Sequence, residues 1–413
     1  MHLLPAALLA LAPSTALAGT LVVAPTPGPG VDFTSIQAAI NAASDGDELV
    51  LRAGSYQEQI LVDGKSLVLH GEPGASVFMV ENAPMHEPLM SIVNLAPDQT
   101  VELRDVDLVR VSTAPGVALL LEDNAGQVRV QNMFVDTYSG HGLVARASDA
   151  VLLVDTFLQC NAPHLDPLGS VQPSHGLVVE QGSQVFAYGV AATGSHGFVL
   201  GLSSMHSAPG GDGVQVIDAD LFAVGPQFGG GTGASVSAGA CDTVEAGGTG
   251  LRVLQTGSVV PTVELLAPEL GAGSMGFSSN PCLPLPAASA PIEGLTSAVQ
   301  ILPGAARLLE GSGNPSFGGL VEVELQGAPG DIFLLFAAGA PTALLPLPGI
   351  DGFVAIDPVG AKVVRTGTLG PNGLGEVIND AALLPSNSFH LQALMVNPVG
   401  ALFLTNPLVL RIP

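Results

Sequence analysis

The sequence of 413 residues contains no tryptophan, three tyrosines and three cysteines, and only 11 lysines and arginines stand against 36 aspartates and glutamates. The resulting net charge of −25 repels phosphate backbones and anionic lipid surfaces, so we expect no nucleic-acid partner. The shortage of aromatic residues argues against a sugar-binding module that works by stacking. An anionic polysaccharide would need a bridging cation. Ca²⁺, which prefers carboxylate and carbonyl oxygens, is the candidate ion, and no other cofactor is implied.

The N-terminus has the features of a secretory signal peptide. An apolar run over residues 3–12 is followed by Ala16-Leu17-Ala18, which fits the small-x-small cleavage pattern. We therefore predict a signal peptide over residues 1–18 and a protein that is secreted, extracellular or at the cell surface. A second apolar stretch, residues 332–350, contains three prolines, which a helix interior tolerates poorly, so we predict no transmembrane segment.

The three cysteines are Cys160, Cys241 and Cys282. No Cys-x-x-Cys pair is present, so the spacings do not fit a structural zinc site. In an exported chain, three cysteines are consistent with one disulfide and one free thiol. We predict the disulfide between Cys241 and Cys282, because both lie in loops rich in glycine and proline that a covalent link would stabilise.

One amphipathic helix precedes a long series of short strands. Phe33, Ile36, Ala39, Ile40 and Ala43 fall at helical spacing and form one apolar face. A solenoid built of short strands exposes core and unpaired backbone groups at its first turn, and a helix with one apolar face can cover them. We expect this helix to cap such a solenoid.

A short motif recurs through the strand-rich region. Its copies are Gly140-His141-Gly142-Leu143, Ser174-His175-Gly176-Leu177, Ser195-His196-Gly197-Phe198, Gly211-Asp212-Gly213-Val214 and Gly248-Thr249-Gly250-Leu251. The separation of His175 from His196 in sequence fits one turn of a β-helix. The sequence therefore predicts an all-β fold, a right-handed parallel β-helix over residues 19–270, in which equivalent residues of successive turns stack over each other.

The pattern changes in the last third of the chain. Residues 271–296 are rich in proline, alanine and serine and are predicted to form a linker. From residue 297 to 413 several short strands follow, of which Gly319 to Leu325 alternates as a half-buried strand does. We predict a small antiparallel β-sandwich. It resembles modules appended to exported bacterial proteins, which implies an attachment, secretion or spacer role.

The start of the chain resembles the pectinesterase family. The resemblance lies in Asp32-Phe33-Thr34-Ser35-Ile36-Gln37-Ala38-Ala39-Ile40 and in Ala53-Gly54-Ser55-Tyr56-Gln57-Glu58, which match that family's opening pattern and its glycine-x-tyrosine-x-glutamate turn. It covers only this first part of the chain and implies the pectin-lyase-like β-helix. It marks the N-terminal cap of that fold and not its active site.

Two aspartates are candidates for the catalytic pair that such an enzyme uses. Asp136 and Asp155 are separated in sequence by close to one turn of the predicted solenoid. Two stacked carboxylates could divide acid and nucleophile roles, because proximity separates their pKa values. The alternative is that both are turn residues at the ends of equivalent strands. The family's arginine-proline-tryptophan motif is absent, because the sequence has no tryptophan.

A second resemblance is to the polygalacturonases. Ser139-Gly140-His141-Gly142-Leu143 is similar to their glycine-histidine-glycine motif, and Asp123 precedes His141 by slightly less than one predicted turn. This resemblance implies inverting hydrolysis by two carboxyl groups, with Asp123 and His141 in the catalytic set. The arginine-x-lysine motif of those enzymes does not follow. The repetition of the motif at His175 and His196 favours a structural repeat instead.

The repeated histidines are candidates for binding. His141, His175 and His196, with Asp212 in the equivalent place of a later copy, would form a ladder along one edge of the solenoid and present a sugar site. The alternative is that each imidazole hydrogen-bonds the local backbone. The same ladder could instead hold a metal ion, and the spacings do not identify which ion.

Three functions remain open at this point. The first is a secreted, monomeric β-helix protein that binds an extracellular polysaccharide along the solenoid face. The second is a pectinesterase-like or polygalacturonase-like enzyme, and the third is a non-catalytic structural exoprotein or adhesin. An enzyme should bring the candidate carboxyl groups and His141 into one groove, whereas a structural solenoid should scatter them at turns.

Overall fold

The structure, a computed structural model, describes residues 18–81, 88–112, 115–165, 170–197, 208–237, 242–278, 281, 284–312, 320–339, 341–346, 350–380 and 387–412. Cys241, Cys282 and residues 1–17 lie outside the described residues, so the disulfide and the signal peptide stay predictions. No helix in the described part of the chain is long and apolar enough to span a membrane.

Three long parallel sheets form the first three quarters of the molecule, and the chain visits them in the order first, second, third in every turn. The first sheet contains Thr20–Val23, Asp47–Leu51, Leu67–Gly71, Thr100–Arg104, Gln127–Gln131, Ala150–Val154, Gln184–Tyr188, Asp220–Val224, Thr262–Leu266 and Val299–Leu302. The second contains Gly54–Tyr56, Val77–Val80, Asp107–Arg110, Phe134–Ser139, Phe157–Ala162, Ala191–Thr193, Gln227–Gly229 and Glu269–Gly271. The third contains Ile60–Asp63, Met90–Val93, Val117–Glu122, His141–Arg146, Leu177–Glu180, Val214–Ile217, Leu251–Leu254 and Ile292–Gly294. This is the predicted right-handed parallel β-helix.

The core of the solenoid consists of aliphatic columns. Alternate residues of each strand point inward, and equivalent positions of successive turns pair in register. One such column in the first sheet is completely buried and runs through Leu49, Leu69, Leu103, Val130 and Leu153. Each turn therefore buries its inward face only against its neighbours, as a solenoid requires.

Helix α1, Ile36–Ala42, closes the first turn as predicted. Its apolar residues Ile36, Ala39 and Ile40 are buried in the solenoid core. The Glu58 carboxylate accepts hydrogen bonds from the Ile36 N–H at 2.6 Å and the Gln37 N–H at 3.1 Å, so it satisfies the free amides of the first turn. Lys65 Nζ donates to the carbonyls of Ile40 and Ala43 at the other end. The residues that resemble the pectinesterase start thus hold the cap.

Two of the three corners of each turn are tight. Single residues with φ between +46° and +61° follow the strands of the first sheet, at Asp105, Asn132, Asp155, Gly189, Gly225 and Ala267, and of the third sheet, at Gly64, Asn94, Asp123, Ala147, Gln181 and Asp218. Asn, Asp and Gly enter this left-handed region most easily, which explains their recurrence at strand ends. Asp123 and Asp155 are therefore turn residues. For Asp155 this agrees with the structural alternative, whereas Asp136 lies inside the strand Phe134–Ser139 and not at a turn.

The third corner, between the second and third sheets, carries the longest insertions. They span residues 81–89, 111–116, 163–176, 194–213, 230–250 and 272–291. Two of them contain antiparallel hairpins, His164–Leu165 with Val171–Gln172 and Ser235–Ser237 with Asp242–Val244. Glycines are essential at this corner, because the segments stack so closely that a Cβ on Gly211, Gly231 or Gly248 would collide with a neighbouring carbonyl oxygen.

These insertions make the turns of the solenoid unequal in length. In the first sheet Asp47 pairs with Leu67, whereas further along Leu221 pairs with Val263, so the later turn contains roughly twice as much chain as the earlier one. The predicted boundary at residue 270 also moves. Ile292–Gly294 and Val299–Leu302, joined by a 3₁₀ turn at Thr296–Ala298, add strands to the third and first sheets. Much of the expected linker is therefore one more insertion at the third corner.

The C-terminal module is the small, mainly antiparallel β-sandwich that the sequence predicts. One sheet contains Leu308–Ser312, Leu320–Gln326 and Leu374–Asp380. The other contains Ile350–Asp351, Leu402–Leu404, Asn387–Val396, Ile332–Ala338, Lys362–Thr368 and Leu408–Ile412, and a separate pair joins Pro341–Pro346 to Phe353–Ile356. Leu309, Leu325, Phe333 and Met395 belong to one core between the two sheets.

The sandwich packs against the outer face of the first sheet. Phe353 contacts Phe186 and Phe222 with ring centroids 4.3 Å and 5.6 Å away, and Arg129 Nη2 donates to the Ala355 carbonyl at 3.1 Å. A small apolar cluster that includes Leu152, Tyr188 and Leu308 fills the same contact. The outer faces of the second and third sheets have no such cover from the described sandwich strands, which leaves them as the surfaces on which to search for a site.

Candidate functional site

The four candidate catalytic residues do not share one site. Asp123 ends a strand of the third sheet, and Asp155 ends a strand of the first. Asp136 lies on the outer face of the second sheet, and His141 begins a strand of the third sheet at the far end from Asp123. The register between Val117 and His141 and between Glu122 and Arg146 separates Asp123 from His141 by about six strand positions, or roughly 20 Å. The polygalacturonase-like pairing is therefore wrong.

Asp136 and Asp155 do not stack over each other either. Phe134 pairs with Phe157 and Asp136 pairs with Gln159, so the turn at this place is longer than the separation of the two aspartates in sequence. Asp155 consequently lies beside Asn132, which ends the preceding strand of the first sheet. The two aspartates occupy different positions in successive turns rather than one repeated position.

His141 and His175 form the predicted ladder. Their rings are stacked, with centroids 5.2 Å apart and planes 8° apart, and His164 meets His141 edge-on at 5.4 Å. His141 Nδ1 accepts the His175 N–H at 3.1 Å, and His175 Nδ1 accepts the Asp212 N–H at 2.9 Å. Each imidazole thus bonds the backbone one turn further along, as the structural alternative holds.

This hydrogen bonding determines what these two rings can do. A backbone N–H only donates, so Nδ1 of each neutral ring is the acceptor and the proton lies on Nε2. Burial, with the neighbouring His175 and His164, lowers the pKa of His141 well below its usual value. Burial lowers the pKa of His175 to about 4, which keeps that ring neutral. Neither ring offers a free lone pair for a general base or a metal ion.

His196 is not part of the ladder. Its ring Nδ1 accepts the Thr232 backbone N–H at 3.2 Å, and its backbone N–H donates to the Asn161 carbonyl at 3.3 Å. It lies on the outgoing limb of an insertion, whereas His175 lies on the returning limb of the preceding one. The prediction that the three histidines stack as one series is wrong at this residue, because insertion length and not a fixed period separates them.

Asp212 has a structural hydrogen-bonding role. Its carboxylate accepts from Arg252 Nε at 2.8 Å, the Thr249 N–H at 2.8 Å and Gln215 Nε2 at 2.7 Å. Burial alone would raise the pKa of this carboxyl, but the hydrogen bonds from Arg252 and its neighbours hold it below the usual value. Its oxygens are thus engaged inside the corner rather than presented to a ligand.

Cys160 is buried and free, and it lies inside the same corner. Its Sγ donates to the His175 carbonyl at 3.1 Å and accepts from Thr137 Oγ1 at 3.2 Å. Burial raises the pKa of this thiol to about 12, so it is unreactive at neutral pH. Among the residues that the structure describes, no group of three His, Cys, Asp or Glu side chains could hold a metal ion.

The outer face of the second sheet presents a row of exposed aromatic rings. Phe134 and Phe157 are 37 % and 38 % exposed and stack in parallel, with centroids 5.4 Å apart and planes 9° apart. Phe78 lies in the same column of the sheet and is 38 % exposed. Asp107, which pairs with Phe78, lies between Phe78 and Phe134 in that column. Tyr138 is exposed on the same strand as Phe134. The rings follow one another along the solenoid axis.

A row of polar side chains runs beside these rings. Asn161 Nδ2 donates to Asp136 Oδ1 at 2.6 Å, and Gln159 Nε2 donates to Asn161 Oδ1 at 2.8 Å. Because alternate strand residues share a face, Asp136 and Gln159 project beside Phe134 and Phe157. Asp136 thus belongs to a hydrogen-bonding surface rather than to a catalytic pair.

A groove of about 830 Å³ adjoins the aromatic row. Phe134 and Phe157 lie on its second-sheet side, and Glu310, Gly311, Leu408 and Val409 of the sandwich form the opposite side. Its lining comes from four successive turns, which gives a length of about 15 Å along the solenoid. Five carboxyl groups line it, those of Glu72, Asp105, Asp107, Asp155 and Glu310.

Three carboxyl groups in this groove have raised pKa values. Burial raises the pKa of Asp155 to about 7, and the carboxylate of Glu310 adds to the shift. Burial also raises the pKa values of Asp107 and Glu310. Perturbed carboxyl groups in a cleft are a physical indication of a functional site. Of the four candidate catalytic residues, only Asp155 lines this groove.

Sequence reasoning missed the aromatic row. The low aromatic content suggested that stacking platforms were absent, but four of the few rings lie on one face. The signal was present in Phe134-Val135-Asp136-Thr137-Tyr138 and Phe157-Leu158-Gln159, which alternate with exposed aromatic residues at equivalent places. Recognising it required the register between these two strands, which only the structure gives.

Comparisons with known proteins give similarities in fold. No family model matches the chain, and no curated protein matches it. Among solved structures, the pectate lyase Pel9A is 12 % identical with a TM-score of 0.42, and the similarity covers 61 % of this chain and 63 % of that one, less than two thirds of its length. The pectin methylesterase from Aspergillus niger in deglycosylated form is 11 % identical with a TM-score of 0.26, covering 62 % and 77 %. The pectin methylesterase PemA from Erwinia chrysanthemi is 13 % identical with a TM-score of 0.22, covering 61 % and 79 %. At these identities, the likeness is one of fold and carries no information about function.

Proposed function

We propose that the protein binds an extended polysaccharide along the outer face of the second sheet and in the adjoining groove. The observation that carries this proposal is the exposed parallel pair Phe134 and Phe157. Because the two rings stack on each other, their exposed edges form an apolar strip on a rigid sheet, against which the apolar faces of sugar rings can pack. A solenoid offers this platform without reorganisation, because the inward neighbours Val135 and Leu158 are completely buried.

The chemistry around the rings suits a carbohydrate. Sugars combine an apolar face with a rim of hydroxyl groups, and binding sites for them combine apolar platforms with a few oriented polar groups. Asp136, Gln159 and Asn161 provide carboxylate and amide groups beside the rings and hold one another in place. The carboxyl groups of the groove provide more acceptors for hydroxyl groups.

Single alanine variants test this proposal. We expect Phe134→Ala and Phe157→Ala each to lower affinity for the bound glycan about tenfold, since each loses apolar contact area at the centre of the strip. Binding is measured by calorimetry after a glycan array has selected the ligand. Phe277→Ala is the matched control, because Phe277 is 88 % exposed in the insertion after residue 271 and outside the groove lining. Equal affinity of all variants and the wild type would contradict the proposal.

A second candidate function is hydrolysis of the bound polymer. The specific observation is the groove pair Asp155 and Glu310, in which one carboxyl group has a pKa of about 7 and can donate a proton near neutral pH. New reducing ends released from a bound polysaccharide would support this function, provided that Asp155→Asn abolishes their release. Binding without any release of reducing ends supports the binding function alone.

The third hypothesis is a structural exoprotein or adhesin without a glycan ligand. It predicts that the correctly folded chain binds no polysaccharide. Export and a monomeric state stay predictions from the sequence. N-terminal sequencing of the protein from the medium tests cleavage after Ala18, and light scattering measures the oligomeric state. A Ca²⁺ requirement is tested by adding a chelator to the binding assay.

A further inference from the structure

We propose that the groove beside the aromatic row selects polysaccharides whose sugar units carry free, protonated amines, such as polymers of glucosamine. This inference rests on the proposed binding function and assigns its ligand class. The site is defined by the groove and its stacked rings, and its charge distribution decides which polymer it accepts.

The groove is strongly acidic and has almost no counter-charge of its own. Five carboxyl groups line it, and Arg104 is the one basic residue in that described lining. Arg104 is already engaged, because its Nε donates to Glu102 Oε1 at 2.9 Å and both side chains are buried. A polymer of uronic acids would therefore meet uncompensated like charge, unless cations bridge it.

Carboxyl groups of the groove lie close to the aromatic rings. Asp107 pairs with Phe78 on one side, and the register of the neighbouring residues places Phe134 on its other side. Asp155 lies just before Phe157 in the chain, and Glu310 lines the groove from the sandwich. A sugar that packs against the exposed edges of Phe134 or Phe157 thus has its ring substituents near a carboxyl group. An ammonium substituent gains from that carboxylate.

A cationic ligand also resolves the poor solvation of these acids. Burial disfavours the ionised forms of Asp107, Asp155 and Glu310, so each has a raised pKa in the free protein. An ammonium group in the groove would stabilise the ionised carboxylates and so lower their pKa values in the complex. A neutral sugar offers no such compensation.

The test compares three oligosaccharide probes of equal length: glucosamine oligomers, N-acetylglucosamine oligomers and oligogalacturonate. The first two share a backbone and differ only in whether the amine is free or acetylated. We expect the glucosamine oligomer to bind at least about tenfold more tightly than the acetylated one, with an affinity that falls as salt is added.

Two variants locate the effect. Asp107→Asn and Asp155→Asn should each weaken binding of the glucosamine oligomer about tenfold and weaken binding of the acetylated oligomer much less, since each removes one charge but keeps an oxygen that can accept from a hydroxyl group. Asp98→Asn is the control, because Asp98 is exposed in a turn between the third and first sheets and removes the same charge elsewhere. Unfolding curves confirm that the variants fold.

The outcomes separate this inference from the proposed function. Tighter binding of glucosamine oligomers that depends on Asp107 and Asp155 supports it. Equal binding of the acetylated oligomer, or preferential binding of oligogalacturonate, overturns the amine selectivity while leaving polysaccharide binding intact. The same holds if Asp98→Asn weakens binding as much as the groove variants. Failure of every oligosaccharide and polysaccharide to bind overturns both proposals.

Discussion

The outer faces of the first and second sheets are built alike but have different partners. On the first sheet, Phe186, Tyr188 and Phe222 form an aromatic patch that the sandwich contacts through Phe353. On the second sheet, Phe134 and Phe157 form an equivalent patch that keeps more than a third of its surface exposed. The chain thus supplies a cover for one aromatic face and leaves the other open. This difference suggests that aromatic rings on the outside of the solenoid serve two purposes, internal docking and, in our proposal, ligand recognition.

The corners of the solenoid show a matching division. Most corners that flank the first sheet are short turns built around one left-handed residue. The longest insertions leave from the corner between the second and third sheets, which forms one border of the open aromatic face. The groove lies at its other border, between the second sheet and the sandwich. Variable chain therefore concentrates on one side of the open face, where a ligand would meet it.

The largest expected effect tests the difference in burial between the two faces. Tyr188 is 2 % exposed in the contact with the sandwich, so Tyr188→Ala should lower the free energy of unfolding by about 3–5 kcal/mol. Phe134→Ala should lower it by less than about 1 kcal/mol, because its ring is already in contact with water. Urea unfolding of the two variants measures both values. Similar losses would mean that the second face is covered like the first.

A smaller effect on the free energy of unfolding is expected at Asp155, which lies at the edge between the two faces. Its pKa of about 7 in the folded protein exceeds its value of about 3.9 in an unfolded chain. The folded state therefore holds the proton more strongly. The contribution of this group to stability is complete below about pH 4 and is lost as the pH rises through about 7.

Asp155→Asn removes this dependence. We expect the variant to lose less stability than the wild type between pH 5 and pH 8, by about 1–3 kcal/mol. Urea unfolding at the two pH values provides the comparison, and Asp98→Asn is the control for loss of an exposed charge. Parallel pH dependence in Asp155→Asn and the wild type would show that the groove does not raise the pKa of Asp155.

The smallest expected effect concerns the end of the aromatic row. Phe78 is separated from the stacked pair by Asp107, so its contact with a ligand is not continuous with theirs. Phe78→Ala should reduce glycan affinity by about threefold, less than either Phe134→Ala or Phe157→Ala. A loss larger than that of Phe157→Ala would move the centre of the binding site towards the N-terminal turns.

Local patterns predicted much of the fold. The apolar spacing in Ile36–Ala42 identified the capping helix, and alternation in Leu320–Gln326 identified a sandwich strand, since both signals depend on neighbours in sequence. The turn length did not follow from sequence, because insertions at one corner make some turns much longer than others. The Pro/Ala/Ser-rich residues 271–296 were predicted to form a linker because their composition is typical of one. Most of them form another insertion, and two more solenoid strands, Ile292–Gly294 and Val299–Leu302, come after it.

The candidate site was less predictable than the fold. The ladder of His141 and His175 was found because one motif recurs at both, whereas His196 carries the same motif on another limb. The stacking of Phe134 on Phe157 depends on the register between two turns, and the position of Glu310 depends on how the sandwich docks. Both are long-range arrangements for which single residues give no local signal.

Hydroxyl-radical footprinting of the wild-type protein, with and without a bound polysaccharide, tests the central claim most directly. The solvent-exposed rings of Phe134, Phe157 and Tyr138 should lose most of their reactivity when the ligand is present, while Phe277 and the residues of the sandwich contact keep theirs. Unchanged reactivity of the second-sheet rings under saturating ligand would contradict the account, and so would protection confined to the third-corner insertions.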